Sequence, residues 1–139
     1  MVYWVSMADL KGKKILIVED DTLLHSLLAD KMADLREQGV EVYPTLNADE
    51  ALAAVATFVP DLILLDLVMP GKNGFEFLQA LRKMEHFEHT PVIVLSNLSQ
   101  EEDRARAKEL GVVKFLVKAD FSLDEISKEV TSALAGIVS

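Results

Sequence analysis

The sequence contains no cysteine, which excludes disulfide frameworks and thiolate metal sites and leaves carboxylates and three histidines as metal ligands. Basic residues are also scarce. Fourteen Lys and Arg stand against 23 Asp and Glu, a formal charge of −9. Nucleic acid and anionic membrane surfaces attract the opposite sign, so neither is expected as a direct partner. No run approaches the ~18 uninterrupted apolar residues of a membrane span. The start, Met1-Val2-Tyr3-Trp4-Val5-Ser6, lacks the basic flank and long apolar run of a secretory signal. Repeats, low-complexity tracts and Pro/Gly/Ser-rich linkers are missing too. What remains is a chain of 139 residues, 50% of them hydrophobic, enough for one domain with a sizeable core and too apolar for intrinsic disorder. A cytoplasmic single-domain protein is expected.

Short apolar runs alternate with segments of helical period. The runs are Ile15–Val18, Val40–Tyr43, Leu62–Leu65, Val92–Leu95 and Phe115–Val117. Their brevity and frequent β-branching predict strands. Three lack polar alternation, as expected of strands buried on both faces of a parallel sheet, whereas Glu41 within Val40–Tyr43 suggests an edge. Helices are predicted over Thr22–Gln38, capped by Asp21 or Thr22 and ended by Gly39, and over Asn47–Phe58, Asn73–Met84, Gln100–Leu110 and Ser122–Ala135, the last ended by Gly136. The charged run from Gln100 to Arg106 reads as a solvated helix laced with internal ion pairs. Five strands alternating with five helices predict an α/β fold, a doubly wound five-stranded parallel sheet built by right-handed crossovers. Ligands in such sheets bind beyond the carboxyl ends of the strands.

Polar residues stand at those ends. Glu19-Asp20-Asp21 follow the first run, Asp66 the third, Ser96-Asn97 the fourth and Lys118 the fifth. Carboxylates ~5 Å apart repel by on the order of 3 kcal/mol at an effective dielectric of ~20, so such a cluster raises its pKa values, recruits a cation or splays apart. An all-oxygen, partly hydrated site suits Mg²⁺. A carboxylate beside Mg²⁺ and a lysine is equipped to attack phosphorus, and Asp66, closing the most apolar run, is the candidate nucleophile. Ser96 is placed to hydrogen-bond a phosphoryl oxygen, and Lys118 to neutralise its charge.

These landmarks, Ile15-Leu16-Ile17-Val18-Glu19-Asp20, Leu62-Ile63-Leu64-Leu65-Asp66 with Met69-Pro70-Gly71, Val94-Leu95-Ser96 and Phe115-Leu116-Val117-Lys118, resemble the receiver domain of two-component response regulators over about residues 13 to 136. The resemblance implies a flavodoxin-like fold of strand order 2-1-3-4-5 over residues 13–139, with residues 1–12 as a flexible extension. It implies Asp66 as phosphoacceptor for a histidine kinase or phosphotransfer protein. Mg²⁺ would be held by Asp20, Asp66 and the backbone carbonyl of Val68, with Glu19 acting mainly through water. Ser96 would be the switch hydroxyl and Phe115 the switch aromatic, turning inward on phosphorylation and remodelling the face built from Gln100–Leu110, the fifth strand and Ser122–Ala135. A downstream effector protein is the implied reader, and family members often pair as homodimers. With no output domain after Ser139, a stand-alone receiver or phosphorelay intermediate is expected, a phosphoacceptor and not a conventional enzyme.

Some positions depart from the family pattern. Ala119 stands where proline usually follows the lysine, leaving open whether the Lys118–Ala119 bond is cis or trans. Asn97 replaces a smaller residue, and Phe115 lacks the hydroxyl of a common tyrosine. Val68 and Leu98 place apolar side chains beside the site, where they would shield an acyl phosphate from water. Simpler readings also exist: Asp21 as a helix cap, Ser96 as a local turn former, Phe115 as core. The functional alternative is a phosphorylation-independent receiver-like adaptor. A phosphohydrolase is disfavoured because Val68 stands where its second aspartate belongs. Tyr3 and Trp4, in the segment preceding the fold, offer a docking point on a partner, and Met7 offers an alternative start.

Overall fold

A computed structural model describes residues 10–69, 71, 73–98 and 100–138. The segment of residues 1–9, with Tyr3, Trp4 and Met7, lies outside them, as do Pro70, Lys72, Ser99 and Ser139. Five strands form one parallel sheet: β1 (Lys14–Val18), β2 (Glu41–Thr45), β3 (Leu62–Leu65), β4 (Val92–Ser96) and β5 (Val112–Val117), in the order β2-β1-β3-β4-β5. The predicted sheet and strand order are thus observed, with the Glu41-containing strand at an edge.

Six helices, not five, cover the sheet: α1 (Thr22–Lys31), α2 (Ala33–Glu37), α3 (Ala48–Phe58), α4 (Gly74–Lys83), α5 (Glu101–Glu109) and α6 (Leu123–Val138). The extra helix arises because the segment expected to run from Thr22 to Gln38 is distorted at Met32. The amide of Met32 still donates to the Leu28 carbonyl and that of Arg36 to the Met32 carbonyl, both at 3.1 Å, so the ladder persists across the break. Met32 is fully buried, and with Leu28 and Leu35, at steps of four and three residues, it faces the core. No proline or glycine marks that position, so the sequence carries no sign of it. Gly39, at φ +92°, ends this region as expected. Gly136 does not end the last helix, which continues to Val138.

Side-chain oxygens set the helix starts. Asp21 accepts from the amides of Leu23 and Leu24, Asn47 from Glu50, and Asn73 from Glu76, whose own side chain returns to the Asn73 amide. Ser122 and Glu125 form the same reciprocal pair before α6.

Alternation along the strands divides the core in two. Leu16, Val18, Ile63, Leu65, Val92 and Val94 face α3, α4 and α5, while Ile15, Ile17, Leu62, Leu64, Ile93 and Leu95 face α1, α2 and α6. The second core also takes in Leu10, ahead of residue 13 where the fold was expected to begin. Strand β5 is longer than expected and irregular. Val92 pairs with Val112 but Ile93 pairs with Lys114, so Val113 is an extra, exposed residue. This bulge breaks the two-residue parity, and Val112 and Phe115, three apart, pack against the same core.

At the end of the sheet where the strands begin, the Arg82 guanidinium donates to the carbonyls of Thr90 (2.7 Å), Leu110 (2.8 Å), Phe87 (3.0 Å) and Gly111 (3.3 Å). One side chain thereby ties the segment before β4 to the turn between α5 and β5. Helix α5 departs from expectation: among the described residues no ion pair forms within it, and its arginines lie on aromatic rings instead.

Val59 closes α3 in the left-handed region, φ 49°, ψ 73°, with half of its surface exposed. For a β-branched residue this conformation costs roughly 1–2 kcal/mol. Val59→Gly is therefore expected to raise the free energy of unfolding by about 1 kcal/mol, after allowing for the freer unfolded chain, as read from the urea midpoint.

Candidate functional site

Beyond the carboxyl ends of β1, β3 and β5, the sheet brings together the groups predicted to meet. The amide of Asp66 donates to the Val18 carbonyl (3.0 Å) and that of Glu19 to the Thr45 carbonyl (3.1 Å), which sets Glu19, Asp20 and Asp66 side by side. One carboxylate oxygen from each lies within 4.8 Å of the others. Glu19 and Asp66 are buried and Asp20 is half-buried. Two ionised carboxylates at such separations repel by about 3 kcal/mol at an effective dielectric of ~20.

Lys118 answers that repulsion. Its ammonium donates to Glu19 Oε1 at 2.7 Å and to Asp66 Oδ2 at 3.0 Å, while Asp66 Oδ1 accepts from the Val68 amide at 3.1 Å. One positive charge thus serves two of three acids. Burial pushes the Glu19 carboxyl up to about 7, against the lowering effect of Lys118, and Asp66 adds to the rise. Burial alone would lower the Lys118 pKa, but its hydrogen bonds to Glu19 and Asp66 outweigh this and raise it.

Above these groups opens a depression of about 370 Å³, lined by Asp20, Asp21, Asp66, Val68, Asn97, Leu98 and Lys118. Its chemistry fits a small hard cation: clustered carboxylate oxygens, a net negative charge that one ammonium leaves uncompensated, and room for water and a phosphoryl group. Asn97 and Leu98 join the lining from the segment after β4, and the exposed Val68 from the segment after β3. Asp21 faces the depression and also caps α1.

Three predicted residues are absent from its lining, the buried Glu19 among them. Ser96 is fully buried at the end of β4, and its hydroxyl accepts from the Leu98 amide at 3.3 Å, a local turn bond. Phe115 is half-buried on β5, with the Arg104 guanidinium 4.9 Å from its ring centre. The Lys118–Ala119 peptide is trans, like every described peptide, and Lys118 opens a 3-10 turn to Asp120.

One contributor is missing from the sequence reading. Gly74, the first residue of α4, donates its amide to the Leu67 carbonyl at 3.0 Å. A Cβ there would stand 2.6 Å from both the Asp66 carbonyl oxygen and the Leu67 Cα. Only glycine lets α4 press against the backbone that carries Asp66. The signal lay in the run Asp66-Leu67-Val68-Met69-Pro70-Gly71-Lys72-Asn73-Gly74, where a second glycine enters the first turn of a helix it does not favour.

Comparison with known proteins agrees with this geometry. The sequence profile of the family described as response regulator receiver domain matches residues 15–131. The phosphate regulon transcriptional regulatory protein PhoB of Rhizobium meliloti (strain 1021) is 35% identical over 121 residues, covering 87% of this chain and 52% of that regulator. The chain therefore spans about half the length of that relative. Among solved structures, Vibrio cholerae chemotaxis protein CheY4 superposes with a TM-score of 0.76 at 28% identity, covering 86% of this chain and 97% of CheY4. The receiver domain of Francisella response regulator 1452 gives 0.75 at 29%, covering 92% and 100%.

Two outcomes follow. Gly74→Ala is expected to lower the free energy of unfolding by about 2 kcal/mol in urea denaturation, because backbone must yield to the new methyl. The Glu19 carboxyl, at about 7 when folded against an ordinary 4.5, holds its proton more tightly in the folded chain. Its contribution is thus most favourable below pH 4.5 and declines as pH rises through 7. Without metal, the melting temperature of the native protein should fall between pH 5 and 7.5 more steeply than that of Glu19→Gln. Millimolar Mg²⁺, which favours ionised carboxylates, should flatten the native profile.

Proposed function

The chain belongs to the response regulator receiver domain family, and from that premise we propose that it is a phosphoacceptor that takes a phosphoryl group onto Asp66. The observation that carries this reading is the triad of carboxylates within 4.8 Å, bridged by Lys118, at one rim of a parallel sheet. The donor would be a phosphohistidine on a histidine kinase or a phosphotransfer protein. An Asp66 carboxylate oxygen attacks phosphorus, the phosphorus–nitrogen bond breaks, and the donor imidazole keeps the electron pair. Asp66 Oδ1 already accepts from the Val68 amide and Oδ2 from Lys118, which holds the carboxylate plane as the transfer requires.

Asp20, Asp66 and the Val68 carbonyl would hold Mg²⁺, with Glu19 acting through water. The bound ion supplies charge neutralisation for the phosphoryl oxygens. Lys118 does the same from the other side once its ammonium leaves the Asp66 carboxylate for the incoming group. Ser96 would give up its bond to the Leu98 amide to reach a phosphoryl oxygen, and Phe115 would turn inward behind it. The face formed by α5, β5 and α6 would then be read by an effector protein or a second copy of the chain. Val68 and Leu98 would slow attack of water on the acyl phosphate. Exposed Leu23 and Leu27, on the first turns of α1 beside Asp21, give a protein donor apolar surface to grip.

Incubation with acetyl phosphate and Mg²⁺, followed by intact-mass measurement, tests the assignment. The native chain should gain one phosphoryl group, and Asp66→Asn or a chelator should prevent it. No gain in the native chain would instead favour the phosphorylation-independent adaptor.

A further inference from the structure

Helix α5 buries a single side chain, Ala107. The Arg104 guanidinium lies 4.9 Å from the ring centre of Phe115 on β5, and that of Arg106 lies 4.2 Å from the ring centre of Phe75 on α4. Residues two apart are ~200° apart around a helix, so the two arginines straddle α5 and fasten it to a neighbour on each side. Among the described residues neither guanidinium pairs with a carboxylate, so the ring faces are what engage them. Arginine stays charged at every physiological pH, which makes the attraction permanent. At the other end of α5's first turn, Gln100 makes no side-chain cap bond. The bulge at Val113 turns the Phe115 ring toward α5, beside a hollow of about 240 Å³ that Arg104, Ala107, Lys108 and Val112 help to line. The ring thus has a charged plate on it and open space next to it.

We propose that Arg104 is a latch on Phe115, a positioning residue whose guanidinium holds the ring in its outward, half-buried place and thereby sets how often it turns inward before phosphoryl transfer. The inference rests on the reading of Phe115 as the moving aromatic. Inward rotation and a phosphoryl group on Asp66 favour one another, so a contact present only in the outward state must oppose both. The stack is of the exposed kind, and its loss should raise the inward population about two- to fivefold.

The test uses the full chain with ¹³C-labelled phenylalanine rings, assigned through Phe115→Leu. In Arg104→Ala without any donor, the Phe115 signals should move toward their positions in the phosphorylated chain. The rate of phosphoryl gain from acetyl phosphate with Mg²⁺ should rise about two- to fivefold. Arg104→Lys, which keeps the charge but not the flat stacking surface, should fall between. Arg106→Ala loosens the opposite side of α5 and should leave the Phe115 signals in place. Unmoved Phe115 signals in Arg104→Ala would overturn the latch. An equal movement in Arg106→Ala would overturn it also, because general loosening of α5 would then suffice. A native chain that gains no phosphoryl group refutes the phosphoacceptor reading instead, so the two failures are separable.

Discussion

Three acids and one ammonium at a single rim form the interaction on which the rest depends. Glu19, Asp20 and Asp66 could each be solvated separately at little cost, yet the sheet forces them within 4.8 Å and leaves Lys118 to offset two of them. Such an arrangement is unstable by design of its surroundings: desolvation and mutual repulsion both penalise the ionised form. The fold supplies the compensation elsewhere, in a core of apolar strands buried on both faces.

The parallel sheet is what makes the crowding possible. With all strands running the same way, every strand end with its polar residue reaches one rim, and right-handed crossovers carry the chain back beneath it. The order β2-β1-β3-β4-β5 sets β1 and β3 side by side, so that Glu19 and Asp66 become neighbours although 47 positions separate them. Lys118 arrives from the far edge strand and reaches across. Gly74 then lets α4 close on the backbone of Asp66.

Much of this was legible in the sequence, for physical reasons that also explain the gaps. The strands announce themselves as short β-branched runs, and the acids, the hydroxyl and the lysine stand directly after them, so placing the runs in one sheet places the site. Helix starts at Asp21, Asn47 and Asn73 follow from local hydrogen-bonding chemistry. Features that depend on tertiary packing left no local trace. The distortion at Met32 falls within an unbroken four- and three-residue spacing of buried side chains, Leu28, Met32 and Leu35. The extra residue Val113 lies ahead of the run Phe115–Val117, and nothing local marks two residues there as opposing one on the partner strand. Arg82, a plain helical arginine by sequence, acquires four carbonyl partners through the fold. Arg104 and Arg106 read as solvated charges because nothing in the sequence says that Phe115 and Phe75 will lie beneath them. Gly74 lies between the two cases, since its position at a helix start is visible and the backbone it must clear is not.

The Arg82 clamp has a mechanical consequence for α5. Two of its four bonds hold Leu110 and Gly111, immediately after the last helical residue, whereas at the opposite end the Gln100 side chain makes no cap bond. A rod held more firmly at its tail than along its length swings in preference to sliding. With nine residues spanning about 13.5 Å, a tilt of ~10° displaces the tip by roughly 2 Å while the pivot stays still. Any such tilt is therefore largest at the first turn of α5, which follows the strand end carrying Ser96, and smallest beside Arg82.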